Sequence, residues 1–167
     1  MLALAIALAI AAATGPAPAP QDLSVPADAG LSLRARGHGV QIYVCEAKAD
    51  QPGRYDWRLV APEADLFGPG GEKIGRHYAG PSWEGLDGGK VVGEVRAKAP
   101  SPDPSAIDWL LLSAKSANGA GVLGQTHYVR RLDTVGGKAP ADGCSDTHAG
   151  EQVRVPYTAV YEFYSPR

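Results

Sequence analysis

The chain has 167 residues, 16 Lys+Arg against 18 Asp+Glu, and a formal net charge of -2. That near-neutral balance excludes a nucleic-acid binder built on a basic face, and 20% charged with 44% hydrophobic residues excludes both a disordered tail and a membrane bundle. Gly 21 and Pro 14 punctuate the backbone too often for long helices.

Residues 1–20 read as a separate object. Met1 to Ala13 is almost wholly Leu, Ala and Ile, and Thr14 to Pro20 turns to Gly, Pro and Ala. The apolar run is shorter than the roughly 20 residues a bilayer span requires and suits the core of a secretory signal peptide. Small residues for cleavage stand at Ala11-Ala12-Ala13 and Ala17-Pro18-Ala19, although no Lys or Arg follows Met1. Residues 21–167 are expected to form a single β-rich domain, secreted or periplasmic, with no membrane span in the mature chain.

From residue 21 onward, short alternating segments are separated by turn clusters. Val40, Ile42 and Val44 oppose Gln41, Tyr43 and Cys45, the period of a half-buried strand. Tyr55, Trp57 and Leu59 alternate with Asp56 and Arg58, and Val91, Val95 and Ala97 face away from Glu94, Arg96 and Lys98. Trp109 to Leu112 is a continuous apolar run, and Val122 to Leu132 is a longer strand candidate. The clearest element comes last. Val153, Val155, Tyr157, Ala159, Tyr161 and Phe163 share one face, with Pro156 marking an edge or a bulge because proline cannot donate to the ladder. Turn signals lie at Gln51-Pro52-Gly53, Gly68-Pro69-Gly70-Gly71, Asp87-Gly88-Gly89, Asn118-Gly119 and Gly136-Gly137, and Pro100 to Pro104 is a stiff connector. About seven to nine short strands so spaced predict an all-β fold, an antiparallel β-sandwich or a partly open β-barrel.

The chain holds two cysteines, Cys45 and Cys144. In an exported protein a lone pair without C-x-x-C spacing is most simply a structural disulfide.

The densest chemistry lies in Gly75-Arg76-His77-Tyr78-Ala79-Gly80-Pro81-Ser82-Trp83-Glu84. Here Trp83 and Tyr78 can wall a cleft, with His77 and Glu84 as polar handles. The same residues also suit a packed corner, the aromatics in the core and His77 hydrogen-bonded to Glu84. The ligand-binding candidates are His77, Tyr78, Trp83, Glu84 and His127. His38, between Gly37 and Gly39, reads as a loop residue. His77, His127 and His148, with Asp146 two residues before the last on the same strand-like face, do not close a set of three or four metal ligands, so neither metal nor cofactor is expected. Phosphate-loop, nucleophile-elbow and H-E-x-x-H patterns are absent. The expected role is a non-catalytic binding or surface module for a small ligand or an envelope or extracellular component. The alternative is a small secreted hydrolase or metal-dependent enzyme with a site near His77, Ser82 and Glu84.

Val40-Gln41-Ile42-Tyr43-Val44-Cys45, the stretch Lys73 to Glu84, Lys90-Val91-Val92-Gly93, and Thr134-Val135-Gly136-Gly137-Lys138-Ala139-Pro140 followed by Cys144 succeed one another along the chain. Together they resemble the exported bacterial and fungal family of domain of unknown function 3455, over about residues 22 to 164. The resemblance implies export, a single domain and the pairing of Cys45 with Cys144, and it implies no activity. Fungal members sometimes carry a malate dehydrogenase label. This sequence has no G-x-G-x-x-G after a strand and no βαβ alternation to support it.

Overall fold

The computed structural model describes residues 20–167, so the expected signal peptide lies outside the described residues except for Pro20. Eight strands follow one another: β1 Ala29–Ala47, β2 Tyr55–Phe67, β3 Lys73–Tyr78, β4 Ser82–Gly85, β5 Lys90–Ala99, β6 Trp109–Asn118, β7 Tyr128–Gly136 and β8 Gln152–Pro166. Each pairs antiparallel with the next, and β8 returns to pair with β1, closing the sheet into a barrel. The all-β antiparallel expectation holds, and so does the strand number. Of the two expected layouts the chain takes the barrel, and closes it. No helix among the described residues is long and apolar enough to cross a membrane.

The five expected turn clusters all fall between strands or at strand ends. Three details differ from the local reading. His38 lies inside β1, where it pairs with Asp65 and Thr158. Val122 to Leu132 does not form one strand: Leu123–Gln125 is a 3₁₀ turn, and β7 begins only at Tyr128. There the Thr126 hydroxyl donates to the Val122 carbonyl at 3.0 Å, a local bond that competes with strand formation. Asp146–His148 is a 3₁₀ turn rather than a strand face. Pro156 lies just past the last β7–β8 pair, Gly136 with Tyr157. Its missing N–H therefore costs the ladder nothing on that side.

The seam between β1 and β8 explains the core. An eight-stranded barrel has an interior just wide enough for side chains to fill. Large residues of β8 must therefore meet small ones on β1. Ala35 pairs with Tyr161, Gly37 with Ala159 and Gly39 with Tyr157. A Cβ on Gly37 would sit 2.5 Å from a ring carbon of Tyr161, so the phenol occupies the space that Gly37 leaves. Tyr157, Tyr161 and Phe163 then pack with Trp83, Leu66, Leu112 and Val129 in one buried cluster.

A second apolar cluster lies on the outside. The β-bulge between Val95 and Ala97 turns Ala97 and Ala99 toward Leu111, Trp109 and Leu132 on that wall. The segment before β1 crosses over them. Leu23 is fully buried there, and its carbonyl accepts from an Arg130 Nη1 at 3.5 Å. Covering that wall with one leucine contributes about 1.5–3 kcal/mol.

The Cys45–Cys144 disulfide forms, with 5.3 Å between the Cα atoms. It ties the end of β1 to the loop before β8. Gly150 N–H donates to the Cys45 carbonyl and Trp57 Nε1–H to the Asp142 carbonyl, both at 2.9 Å.

Candidate functional site

Residues 73–85 form the β3–β4 hairpin, and strand alternation divides the expected cluster between the two faces of the wall. His77 pairs with Trp83 and both point into the barrel, while Arg76 pairs with Glu84 and faces outward. The imidazole and indole stack at 4.4 Å between centroids and 10° between planes, with Tyr161 edge-on to the indole at 5.5 Å. His77 Nδ1–H donates to the Ser82 backbone carbonyl at 2.8 Å, which fixes the tautomer. Nδ1 therefore bonds to a backbone carbonyl rather than to the Ser82 hydroxyl or to Glu84.

Burial pushes the His77 pKa from 6.5 down to about 3, the Arg131 guanidinium adds to the fall, and the bond to Ser82 opposes it. In the folded chain the ring stays neutral through the acid range, whereas in the unfolded chain it protonates near pH 6.5. Below 6.5 the unfolded state thus binds one more proton, and stability falls as pH drops toward 3. The loss is about 1.4 kcal/mol per pH unit, or about 2 kcal/mol at pH 5. Urea denaturation from pH 7 to 5 should show this slope, and His77→Phe should flatten it. An equal slope in both proteins would assign the acid sensitivity elsewhere.

Deeper in the barrel the Tyr157 and Tyr161 hydroxyls share a hydrogen bond at 2.9 Å, and the Tyr43 hydroxyl donates to the Gly137 carbonyl at 2.6 Å. Burial raises the pKa of all three phenols, and Arg131 opposes it. Gln41 Nε2 and Trp83 Nε1 are buried with no hydrogen-bond partner among the described residues.

On the outer face the Tyr78 hydroxyl donates to Glu84 Oε2 at 2.6 Å, and Arg76 Nη2 donates to the same oxygen at 3.1 Å. These bonds, Tyr78's first, hold the Glu84 carboxyl below the usual carboxylate range. Arg76 and Lys90 lie over the Tyr78 ring at 4.9 and 5.2 Å. His127 is exposed at the approach to β7, its backbone bonded to Ala114 and Tyr164. The structure therefore brings His77 to Trp83 and Tyr78 to Glu84, but does not unite the pairs or draw in His127. Among the described residues no three His, Cys, Asp or Glu side chains converge as metal ligands would.

A groove of about 950 Å³ lies elsewhere on the wall, over β1 and β8, bounded by the β2–β3 turn at Phe67 and Pro69 and by Asp133 of β7. Arg36 and His38 rise from its floor beside Thr158. Arg36, His38 and Thr158 are exposed, and neither they nor Asp133 make a side-chain hydrogen bond or ion pair among the described residues. Asp133 sits in the β-bulge between Leu132 and Val135 with φ 47°, a left-handed backbone that costs a non-glycine residue and gathers at functional sites. Arg34 flanks the groove and is anchored. Its Nε donates to Glu162 Oε1 at 3.1 Å, while Arg130 Nη2 and the Tyr164 hydroxyl reach Oε2 at 2.6 and 2.7 Å. Burial would raise the Glu162 pKa, but the hydrogen bonds from Tyr164, Arg130 and Arg34 outweigh it and hold the carboxylate ionised below its usual range.

Local reading missed this groove. Its one local sign is Arg34, Arg36 and His38 at alternate positions, which extends the strand pattern of residues 40–46 upstream. Gly37 and Gly39 masked that sign, because they read as turn residues.

The fold and sites define a disulfide-closed antiparallel barrel, its interior filled by side chains and its wall bearing an open polar groove. The family model described as protein of unknown function (DUF3455) matches residues 68–165, and the chain belongs to that family. The matched span runs from the β2–β3 turn nearly to the end of β8, including the β3–β4 hairpin and Cys144. Neither the curated proteins nor the solved structures include a match.

Proposed function

We propose that this is an exported, non-catalytic binding module of the envelope or extracellular space, and that its ligand seats in the groove over β1 and β8. One observation carries the reading: Arg36, His38 and Asp133 stand uncommitted around an open groove. His77 and Trp83 of the β3–β4 hairpin are instead taken up by the core, and Tyr78 and Glu84 by each other. In this reading His77 and Trp83 are core, and Tyr78 and Glu84 are a tied polar cluster on the wall. The hydrolase alternative has less support, because the imidazole is buried, neutral and bonded to a backbone carbonyl.

The test is an amide chemical-shift screen of the labelled chain against small charged and neutral compounds. Binding should move residues 34–38, 133 and 158–160, and the compound should be recovered unchanged. Turnover of a bound compound, or shifts confined to residues 76–84, would overturn the assignment. Protein from its native host should also begin between Thr14 and Gln21, as a cleaved leader requires.

A further inference from the structure

The composition of the groove points to a ligand class. This inference rests on the groove being the binding site and extends it. Three cationic guanidiniums surround the β1–β8 seam: Arg34, Arg36 and Arg130. Glu162 is the buried counter-ion of Arg34 and Arg130, its side chain only 3% exposed. One carboxylate against two guanidiniums leaves a positive excess, to which the unpaired Arg36 adds. Glu162 also fixes Arg34 through Nε and Nη2, leaving Nη1 uncommitted at the groove. Arg34 and Arg36 lie two residues apart on one strand face, about 7 Å along it. That spacing lets a planar anion meet one fork while the other steers it.

The far side has different chemistry. Asp133 and Thr158 offer a carboxylate and a hydroxyl, both unpartnered. An acceptor carboxylate repels a bare anion but suits the hydroxyl groups of a ligand whose own charge lies elsewhere. Phe67 and Pro69 add an apolar rim on which ring C–H faces can lie. The volume of about 950 Å³ is at the upper end for small-molecule sites, roughly 300–1,000 Å³, so more than one ring fits. We infer that the groove binds a carboxylate-bearing, polyhydroxylated ligand of several rings, an acidic oligosaccharide, with its carboxylate on Arg34 and Arg36 and its hydroxyls on Asp133 and Thr158.

The test titrates the disulfide-intact chain with tetragalacturonate, with the neutral tetramer cellotetraose and with inorganic phosphate, by calorimetry and amide shifts at low salt. Tetragalacturonate should saturate a single site and move residues 34–38, 133 and 158–160. Cellotetraose and phosphate should each bind at least tenfold more weakly. Arg36→Ala should weaken tetragalacturonate at least tenfold and flatten its salt dependence, with an unchanged melting temperature. Asp133→Asn, which keeps a residue tolerant of positive φ, should weaken it severalfold through the lost hydroxyl contacts, with the melting temperature unchanged. Arg154→Ala, a surface guanidinium paired with Glu63 outside the groove, should leave binding unchanged. Equal binding of cellotetraose would overturn the carboxylate, and binding of phosphate as tight as the tetramer would overturn the hydroxyl contacts. In both cases the groove still stands as the site. Shifts away from residues 34–38 and 158–160 with every probe would overturn the groove itself.

Discussion

Reducing the Cys45–Cys144 bond should lower the free energy of unfolding by about 4–5 kcal/mol. The two cysteines are 99 positions apart, so the bond closes a loop spanning most of the described chain. In the chain-entropy model, a loop of that length removes the most freedom from the unfolded ensemble. The folded state gives up comparatively little, since Gly150 still bonds to Cys45 and Trp57 to Asp142. Cys45 is fully buried, so its thiol takes the place of the sulfur within the barrel wall. A domain of this size is stable by only about 5–15 kcal/mol, so the loss is a large fraction of the total. Urea denaturation with and without reductant should show it as a shift in midpoint, and the Cys45→Ala, Cys144→Ala double variant should match the reduced protein. Thiol titration of the denatured, unreduced chain should find no free thiol. A midpoint shift equivalent to less than 1 kcal/mol would show that native contacts, not chain connectivity, hold the loop before β8.

The strands that were legible in the sequence are those whose alternation is local. Val153 to Phe163 announces one buried face because every second side chain is apolar, and β8 carries that face into the barrel. The Gly-Pro and Asx-Gly clusters announce the turns because their φ requirements are local too. Closure was not legible. It depends on β8 finding β1 across more than a hundred residues, and on Gly37 and Ala35 leaving room for Tyr161. A glycine that serves interior space looks like a glycine that serves a turn, and so His38 read as loop. The hairpin shows a different limit. His77 and Tyr78 are neighbours in sequence, and crowding suggested a shared site. Period-two geometry sends them to opposite faces instead. The groove combines β1, β8, the β2–β3 turn and a bulge in β7, so no single window of sequence contains it.

Trp83→Ala should destabilise the chain by about 3–5 kcal/mol. The indole is 1% exposed and lies where three elements meet: stacked on His77 of β3, edge-on to Tyr161 and Phe163 of β8, and against the space left by Gly93 of β5. A Cβ on Gly93 would sit 3.0 Å from a Trp83 ring carbon, so the indole already fills that gap. Removing it opens a cavity that cannot readily collapse, because a closed barrel fixes the distance between its walls. Trp83→Phe separates packing from polarity. Trp83 Nε1–H has no hydrogen-bond partner among the described residues, so phenylalanine gives up ring volume but no bond. Its cost should be well under half that of alanine. His77→Phe in the same background should couple to both, since stacked rings do not contribute additively. If Trp83→Ala costs less than about 1 kcal/mol, the indole is not a core residue, and the hairpin competes with the groove as the ligand surface.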